Sequence, residues 1–384
     1  MINKSNSFLS WHHWAVVAAF MMLTVWGWIL SKNMIQEKGL ASFNIQSKQL
    51  VEQITERMSR YEIALKAGAA SLHLFAPHIQ PNEKQELLKS LGLTETTSGI
   101  NGIGFINNVS EDGIDQFIAF QREYNPQFNI FPKHDIKSLW PITHIVPLNG
   151  NENSVGLDIA YDHQRLAAAM KARDGGTIQI TAPILLTEVA TDTLGFLKYI
   201  PVYSSSNIST PELRQKYFVG HLFARFTIRN LIGYVLEQQN RLLVFNILDD
   251  DKIIYNELTR NNEHYDSSPL HQKTVELDMY GRVWTLNIQT SLLFNKALYS
   301  YQPFIVLAIG LIFNVMLVFI FLLKRYRKDA IKLANTINHE LTVKDEYYKH
   351  IIESAPCGMI VTDEKGQIEN VNRQTELLFG YKSK

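Results

Sequence analysis

Two apolar blocks dominate the pattern of hydrophobic and polar positions along the chain. They cover residues 11–30 and 304–323, and neither contains Asp, Glu, Lys or Arg. Each has about twenty residues, the length at which an α-helix crosses roughly 30 Å of hydrocarbon. Both blocks are apolar on every face of a helix, whereas the surface helix of a soluble domain is apolar along one stripe. The pattern therefore predicts two transmembrane helices.

The residues that flank the blocks predict how the chain is oriented. Lys324, Arg325, Arg327 and Lys328 follow the second block directly, and such basic clusters stay in the cytoplasm. Two spans return the chain to the same side, so residues 1–10 are also predicted to be cytoplasmic, and residues 33–302 to be extracytoplasmic. A cleavable signal peptide is the alternative for the first block. Its apolar run exceeds the usual length of about 7–15 residues, which favours an uncleaved anchor.

A long helix is predicted to open the extracytoplasmic segment, at residues 33–75. Met58, Tyr61, Leu65, Gly68 and Leu72 recur at alternating spacings of three and four, which is typical of a helix with one buried seam. Two interpretations of this seam remain open. Either the helix packs on its own domain, or it forms the stalk of a dimer.

Alternating helical and extended patterns follow the long helix and predict an α+β fold. Helices are predicted at residues 112–124, 162–173 and 228–238, and strands at residues 100–109, 155–160, 178–180, 196–202, 217–226, 242–248, 253–255 and 283–289. The polar run SSSNISTP at 204–211 is typical of a junction between domains. The sequence therefore predicts two small α+β modules, at residues 82–203 and 212–295.

A second helical pattern follows the second apolar block, at residues 324–350. Tyr326, Ala330, Leu333 and Ile337 are spaced by four, three and four residues, which is typical of a connector helix that pairs with a second copy. Asn314, in the middle of the second block, has two interpretations: a hydrogen bond across a dimer, or a local bond within its own molecule. These features predict a homodimer.

Composition and charge narrow the classes of function. The 37 basic residues balance the 37 acidic ones and 46% of the residues are hydrophobic, which excludes a disordered chain and gives no support to nucleic-acid binding. The single cysteine, Cys357, excludes an internal disulfide and a zinc site built from cysteines. We find no Walker motif, Ser/His/Asp set or paired carboxylates in the sequence. It thus predicts no catalytic residue, no metal site and no cofactor.

Three segments of the extracytoplasmic region carry a resemblance to a known family. They are GFINNVSEDGIDQFIAFQ at 104–121, GLDIAYDHQRLAAAMKARDGGTIQITAP at 156–183 and LGFLKYIPVY at 194–203. In this order, between two spans, they resemble the CHASE domain, the extracytoplasmic sensor of histidine kinases and cyclases that includes the plant cytokinin receptors. The resemblance implies a long amino-terminal helix and two PAS-like modules, a distal one at 82–203 and a proximal one at 212–295. It also implies an inner-membrane protein with a periplasmic sensor for a small molecule.

The resemblance implies a ligand site as well. In cytokinin-binding members an aspartate before the helix hydrogen-bonds the adenine of the ligand, and a backbone group before Thr-Ala/Ser-Pro contacts the ring. Asp158 and Ile180 stand at these positions, with Thr181 beside Ile180. The alternative for Asp158 is a local role, at a helix amino terminus or as an acceptor for nearby backbone amides. Tyr199 stands where the plant receptors carry threonine, which implies a different pocket and either a cytokinin-like adenine or another small organic ligand.

The last segment resembles a second family. IIESAPCGMIVTDEKGQIENVNRQTELLFGY at 351–381 resembles the first half of a cytoplasmic PAS domain. Residues 351–384 are expected to begin a PAS domain that is incomplete in this sequence, with a parent protein that continues into an output domain. The two resemblances imply the input module of a two-component sensor histidine kinase, without an enzyme domain of its own. The alternatives are the sensor part of a diguanylate cyclase or phosphodiesterase, and a stand-alone non-enzymatic receptor or scaffold.

Overall fold

The first apolar block continues without interruption into the helix predicted at 33–75. In the computed structural model, which describes residues 10–75, 80–92, 99–134, 138–186, 193–237 and 240–382, helix α1 runs from Trp11 to Phe75 and has 65 residues. The sequence contains no proline in this stretch, so every backbone amide can join the hydrogen-bond ladder of the helix. The helices predicted at 11–30 and 33–75 are therefore one element.

The chain divides into two compact units. One is Ile35–Tyr299, and the other combines Met1–Met34 with Ser300–Lys384. Beyond α1, the described helices of the first unit are α2 (Pro81–Ser90), α3 (Ile114–Tyr124), α4 (His163–Gly175), α5 (Pro211–Lys216), α6 (Ile228–Glu237) and α7 (Leu292–Leu298). Its described strands are β1 (Ile100–Asn107), β2 (Val109–Ser110), β3 (Ser138–Leu139), β4 (Ile142–Val146), β5 (Gln179–Ile180), β6 (Ile184–Leu186), β7 (Thr193–Tyr203), β8 (Phe218–Thr227), β9 (Leu243–Asp249), β10 (Lys252–Asn256), β11 (Gln272–Met279) and β12 (Arg282–Thr290). The predicted mixture of helix and sheet is confirmed.

Strand β8 lies at the centre of an antiparallel sheet. Six described strands form this sheet in the order β4-β1-β8-β7-β5, with β6 paired to β7. The sequence analysis placed the strand at 217–226 in the second module, and that assignment is wrong. The polar run at 204–211 is a surface connection that leads through α5 back to the same sheet. A polar run marks a surface loop, but it does not show which sheet the next strand joins. The first module therefore extends to Thr227 rather than ending at 203.

The second sheet has four described strands in the order β10-β9-β12-β11. The strands predicted at 242–248, 253–255 and 283–289 are found as β9, β10 and β12. Strand β11 was not predicted, although Val275, Leu277 and Met279 alternate with polar residues as in a half-buried strand. All four strands lie within the stretch predicted as the second module, 212–295, and their buried side chains share one apolar core with α1 and the first sheet.

The strand predicted at 155–160 is wrong. The 3-10 turn Glu152–Ser154 precedes this stretch, which itself contains a turn at 155–156 and the beginning of a second 3-10 turn, Ile159–Tyr161. Only isolated bridges, from Leu157 to Phe131 and from Asp158 to Pro141, connect it to neighbouring chain within the described residues. A short apolar run is compatible with a strand or with a buried turn, and here the turn is found.

The seam of α1 faces the core of its own domain. Met58, Tyr61, Leu65 and Leu72 are at most 2% exposed and belong to one apolar core together with residues of both sheets. Of the two interpretations of the seam, packing on its own domain is therefore observed. A dimer stalk built on this seam is excluded, because the same side chains cannot also face a partner.

Helix α4 begins and ends near the residues that the sequence predicts. The side chain of Asp162 accepts hydrogen bonds from the backbone amides of Gln164 and Arg165, and Gly176 ends the helix in the left-handed conformation with φ 64°. Both are standard helix signals, an aspartate amino-terminal cap and a glycine carboxy-terminal cap. They fix the start of α4 directly after the turn that holds Asp158.

The second unit is dominated by one further helix. Its described elements beyond α1 are α8 (Gln302–Ser354), β13 (Ile360–Thr362), β14 (Ile368–Val371) and α9 (Arg373–Phe379). Among the described residues, two helical stretches are long and apolar enough to cross a membrane, Trp11–Leu74 and Leu292–Ser354. The predicted connector at 324–350 is helical, as part of α8. Asn372 caps α9 by accepting a hydrogen bond from the amide of Thr375, as its place before a helix predicts.

Candidate ligand site

Asp158 is completely buried and holds the turn before α4. Its Oδ1 accepts hydrogen bonds from the backbone amides of Trp140 (2.8 Å) and Ala160 (2.9 Å). A carboxylate satisfies buried amides well, because hydrogen bonds to a charged acceptor are stronger than neutral ones. The local role that the sequence analysis left open for Asp158 is therefore present in the structure.

The other oxygen of Asp158 meets His134. Nε2 of His134 donates to Oδ2 at 2.8 Å, and the His134 side chain is 13% exposed whereas that of Asp158 is 0% exposed. The imidazole thus lies between the carboxylate and the surface. Among the residues that the structure describes, no group of three or more His, Cys, Asp or Glu side chains could hold a metal ion. His134 is therefore the described hydrogen-bond partner of Oδ2, as the amides of Trp140 and Ala160 are those of Oδ1.

Ile180 is the last residue of strand β5, which pairs with β7, and Thr181 follows it directly. The Thr181 hydroxyl accepts from the amide of Leu197 (3.1 Å), and its own amide donates to the carbonyl of Leu197 (2.9 Å). The Ile180 amide donates to the carbonyl of Tyr280 (3.2 Å). The side chain of Ile180 packs in the core that contains the seam of α1. These backbone amides are therefore already used within the protein.

Tyr199 lies in a different apolar core, together with Trp140. Its ring is 5.3 Å from that of His221, and the His221 ring is 5.4 Å from Trp140 and 4.7 Å from Phe218. We call Trp140, Tyr199, Phe218 and His221 the aromatic cluster. Because Trp140 also binds Asp158 through its amide, the structure joins Asp158 and Tyr199 through this cluster. It leaves the side chain of Ile180 in the other core.

His221 is a member of this cluster that the sequence analysis did not identify. It is 0% exposed, and this burial lowers the pKa of His221 from 6.5 to about 3, with the nearby positive charge of Arg173 acting in the same direction. The backbone at Ala169 and Ile200 acts in the opposite direction. The imidazole is therefore neutral at any physiological pH. The sequence analysis did not connect His221 with the candidate site, because it assigned β8, the strand that carries His221, to the second module.

We expect the protein to lose stability in acid because of His221. The folded state resists protonation down to about pH 3, whereas an unfolded histidine takes up its proton near pH 6.5. The unfolded chain thus binds more protons in this window, and the free energy of unfolding falls as the pH falls through it. Between pH 6 and pH 4 the loss from one such histidine is about 2 kcal/mol. Thermal melting of the full chain in detergent micelles across this range measures it.

The substitution His221→Phe separates this contribution from the others. It keeps an aromatic ring in the aromatic cluster and removes the titrating group, so we expect a shallower dependence of melting temperature on pH. His144 still contributes to the pH dependence of stability in this variant, because burial, and after it the charge of Lys84, lowers the pKa of His144 to about 3 as well. His163→Phe is the matched control at an exposed position and should leave the slope unchanged. A slope for His221→Phe equal to that of the wild type would contradict the assignment.

A buried lysine connects β7 to α1 on the opposite face of the sheet. Lys198 is 0% exposed, its Nζ donates to the carbonyl of Met58 (3.2 Å) and it lies 3.5 Å from the centre of the Tyr280 ring. The Tyr280 hydroxyl donates to the same carbonyl (3.1 Å). Burial lowers the pKa of Lys198 to about 7, and the charge of Glu62 opposes that shift. Strand β7 and the turn between β11 and β12 thus both bind the same carbonyl of α1, that of Met58.

Comparison with protein-family models gives two matches. Residues 77–259 match the CHASE domain, and residues 346–384 match the PAS fold. Both resemblances drawn from the sequence motifs are confirmed. The CHASE match includes the whole six-stranded sheet and the first two strands of the second sheet. No curated protein matches the chain.

Sensory domains are among the solved structures that are similar to the chain. The periplasmic sensory domain of the Campylobacter jejuni chemoreceptor Tlp1 matches with 11% identity and a TM-score of 0.43, over 66% of this chain and 95% of that chain. The ligand-binding domain of the Pseudomonas aeruginosa amino acid chemoreceptor PctC, in complex with GABA, matches with 9% identity and a TM-score of 0.39, over 65% and 99%. A domain of a sensory box/GGDEF family protein from Vibrio parahaemolyticus matches with 9% identity and a TM-score of 0.39, over 67% and 98%. At these TM-scores the similarities carry no inference about ligand or activity.

Proposed function

From the CHASE domain and the PAS-fold segment that this chain carries, we propose that it is the input module of a membrane receptor for a small molecule. The observation that supports this most is the CHASE match at 77–259, which contains Asp158, Tyr199 and the aromatic cluster. Both matched families are sensory. The output proposed for the parent protein is a two-component sensor histidine kinase, with a diguanylate cyclase or phosphodiesterase as the alternative.

The proposed placement is a two-pass protein of the inner membrane. Met22, Ile312 and Phe319 are 68%, 68% and 59% exposed on the two long apolar helices, and such surfaces are stable in hydrocarbon rather than in water. The basic residues after 323 favour a cytoplasmic PAS segment. The residues before the first span would lie on the same side, and the CHASE domain would lie in the periplasm.

The proposed ligand binds next to Asp158 and the aromatic cluster. It would replace His134 at Oδ2 of Asp158, because that oxygen has its present partner on the surface side. The ligand must then offer a hydrogen-bond donor to a carboxylate, such as a ring N–H, an amide or a protonated amine. Tyr199 would limit the size of the ring that enters. The backbone amides of Ile180 and Thr181 already have partners within the protein. These two residues would therefore contribute to the ligand site through other groups at the edge of β5.

The proposed signal leaves the site through β7. Tyr199 contacts the aromatic cluster, and the next residue toward the amino terminus, Lys198, binds the carbonyl of Met58 on α1. A small displacement of β7 would therefore act on α1, which continues as the first apolar helix. A ligand transmits a signal by this route only if it binds one arrangement of β7 and α1 more tightly than the other.

Thermal melting of the full chain in detergent micelles tests the ligand site. The probes are adenine, N6-isopentenyladenine and the twenty common L-amino acids. We expect at least one probe to raise the melting temperature of the wild type by several degrees, because a ligand that binds only the folded state stabilises it. Asp158→Asn should lose this shift, since the charge that attracts the donor is removed. His134→Ala should keep it or increase it.

The control for this experiment is an exposed carboxylate close to the site. Glu152→Gln lies six residues before Asp158 on the surface and should retain the full shift. Asp158→Asn with the same shift as the wild type would place the ligand elsewhere. A panel without any shift would contradict the proposed ligand chemistry.

A further inference from the structure

Lys198 brings a buried amino group to a junction between α1, the first sheet and the turn that joins β11 to β12. The side chain is 0% exposed, its Nζ donates to the carbonyl of Met58 at 3.2 Å, and the centre of the Tyr280 ring lies 3.5 Å from Nζ. Strands β5 and β8, on either side of β7, place Ile180 and Ala224 next to Lys198. All four of these neighbouring groups are uncharged near neutral pH.

Three ionisable groups face Lys198 at this junction. Glu62 and Lys66 lie on α1 and form an ion pair of 2.6 Å, and Tyr280 lies on the turn. Burial acts to raise the pKa of Glu62, but hydrogen bonds from Lys66 and Tyr280, together with the charges of Lys198 and Lys66, hold that pKa below its usual value. Burial raises the pKa of Tyr280, and its hydrogen bond to Glu62 acts in the same direction. Near neutral pH Glu62 is therefore charged and Tyr280 is neutral.

The buried position of Lys198 couples its protonation to the packing of the turn. Burial lowers the pKa of Lys198 from 10.5 to about 7, the charge of Glu62 opposes this shift, and the charge of Lys66 adds to it. If the turn moved away and water reached Nζ, the pKa would return toward 10.5, because a hydrated ammonium is stable. Protons favour the arrangement in which the pKa is higher. Acid therefore favours an open junction, and base favours the closed one.

The β11–β12 turn is an element that can open in this way. Tyr280 and Gly281 form its tip, with φ 50° and 85°, and the tip reaches across to α1 and β5. The carbonyl of Tyr280 accepts from the amide of Ile180 (3.2 Å), and its hydroxyl donates to the carbonyl of Met58 (3.1 Å). A Cβ at Gly281 would overlap Oε1 of Gln179. These contacts can break while β11 and β12 stay paired with each other.

We infer that Lys198 is a proton-sensing site, whose protonation shifts the β11–β12 turn from the closed arrangement of this structure toward an open one. This input is separate from the proposed small molecule. It acts on the same carbonyl of α1, that of Met58, because Lys198 and Tyr280 both donate to it. The closed junction binds fewer protons than the open one between about pH 7 and pH 10.5. The ratio of open to closed molecules should therefore fall about tenfold from pH 6 to pH 8, mostly above pH 7.

Cysteine labelling of the full chain in detergent micelles tests this inference. In a Cys357→Ser background, Met279→Cys places a thiol directly before the turn, at a position that is 2% exposed. A maleimide reaches this thiol only when the turn is displaced. We expect its labelling rate, divided by the rate of the same reporter with Lys198→Met, to fall about tenfold between pH 6 and pH 8. The division removes the effect of pH on the thiol and that of Lys84, whose pKa burial lowers to about 8.

A second reporter distinguishes opening of the turn from unfolding of the whole unit. Ala169→Cys lies in the other apolar core and is 0% exposed, so global unfolding is required to label it. We expect Met279→Cys to react at least tenfold faster than Ala169→Cys at pH 6, because opening the turn breaks fewer contacts. Equal rates at the two reporters would show that the turn does not open separately, which overturns the inference.

Two further substitutions, combined with Met279→Cys, assign the proton to Lys198. Lys48→Met removes an exposed lysine of α1, with a side chain that is 77% exposed, and should leave the tenfold fall unchanged. Glu62→Gln removes the charge that supports protonated Lys198, so the fall should begin at a lower pH. A rate ratio that stays constant from pH 6 to pH 8, or an unchanged onset in Glu62→Gln, overturns the inference. No ligand is added in these measurements, so their outcome is independent of the test of the ligand site.

Discussion

Asp158→Ala is expected to lower the free energy of unfolding by about 3 to 5 kcal/mol. The substitution removes the acceptor of two buried backbone amides, those of Trp140 and Ala160, and also the partner of His134. A buried amide without an acceptor keeps its full desolvation cost, and water cannot replace the carboxylate at a site that is 0% exposed. Urea denaturation of the full chain in detergent micelles, followed by tryptophan fluorescence, measures the loss.

Asp158→Asn distinguishes the structural role of this residue from its proposed ligand role. The amide oxygen of asparagine can accept from the same backbone amides, so we expect the loss of stability to be less than half of that for alanine. The proposed ligand effect should disappear in both variants. If Asp158→Ala melts like the wild type, the hydrogen bonds of Asp158 do not hold the turn before α4. Ligand binding would then be the better explanation for a buried carboxylate at this position.

Gly220→Ala should have an effect of similar size for a different reason. A Cβ at Gly220 would overlap the carbonyl oxygen of Ile106 and press on the ring of Phe105. Both neighbours belong to β1, which pairs with β8 through Asn107 and Gly220. Because β8 is a central strand with β7 on its other side, neither strand can move away without breaking ladder hydrogen bonds. We expect a loss of about 3 kcal/mol or more.

Gly233→Ala is the matched control for this glycine. It lies inside α6, and a Cβ there meets nothing within 4 Å. Alanine stabilises a helix interior relative to glycine by about 1 kcal/mol, so the two variants should shift the melting temperature in opposite directions. If Gly220→Ala is tolerated as well as Gly233→Ala, β8 does not lie between β1 and β7, and the original module boundary near 203 would be restored.

Several elements could be predicted because their signals are local. The two apolar blocks differ from everything else in the chain over twenty residues, and α4 is marked at both ends by Asp162 and Gly176. The turn and cap of the PAS segment, with Asn372 before α9, are equally local. For such elements the residues that determine the structure are neighbours in sequence, so a pattern of spacing and capping is sufficient.

Part of the candidate site could be predicted and part could not. The CHASE resemblance located Asp158 and Tyr199, and the structure joins them through the aromatic cluster. The resemblance could not show that Asp158 already binds two backbone amides and His134, because these partners lie up to 24 residues away in sequence. His221 was not identified for the same kind of reason. Its surroundings come from Trp140 and Tyr199, which no spacing rule connects to it.

The sequence by itself determined the long helices, their two apolar stretches, the mixed α and β character and the resemblance to two sensory families. Only the tertiary structure decided that β8 belongs to the first sheet, that the seam of α1 faces its own core, and which oxygen of Asp158 faces His134. The physical reason is that helix formation and hydrophobic length depend on residues within a few turns, whereas strand order, burial and hydrogen-bond partners depend on contacts between distant parts of the chain.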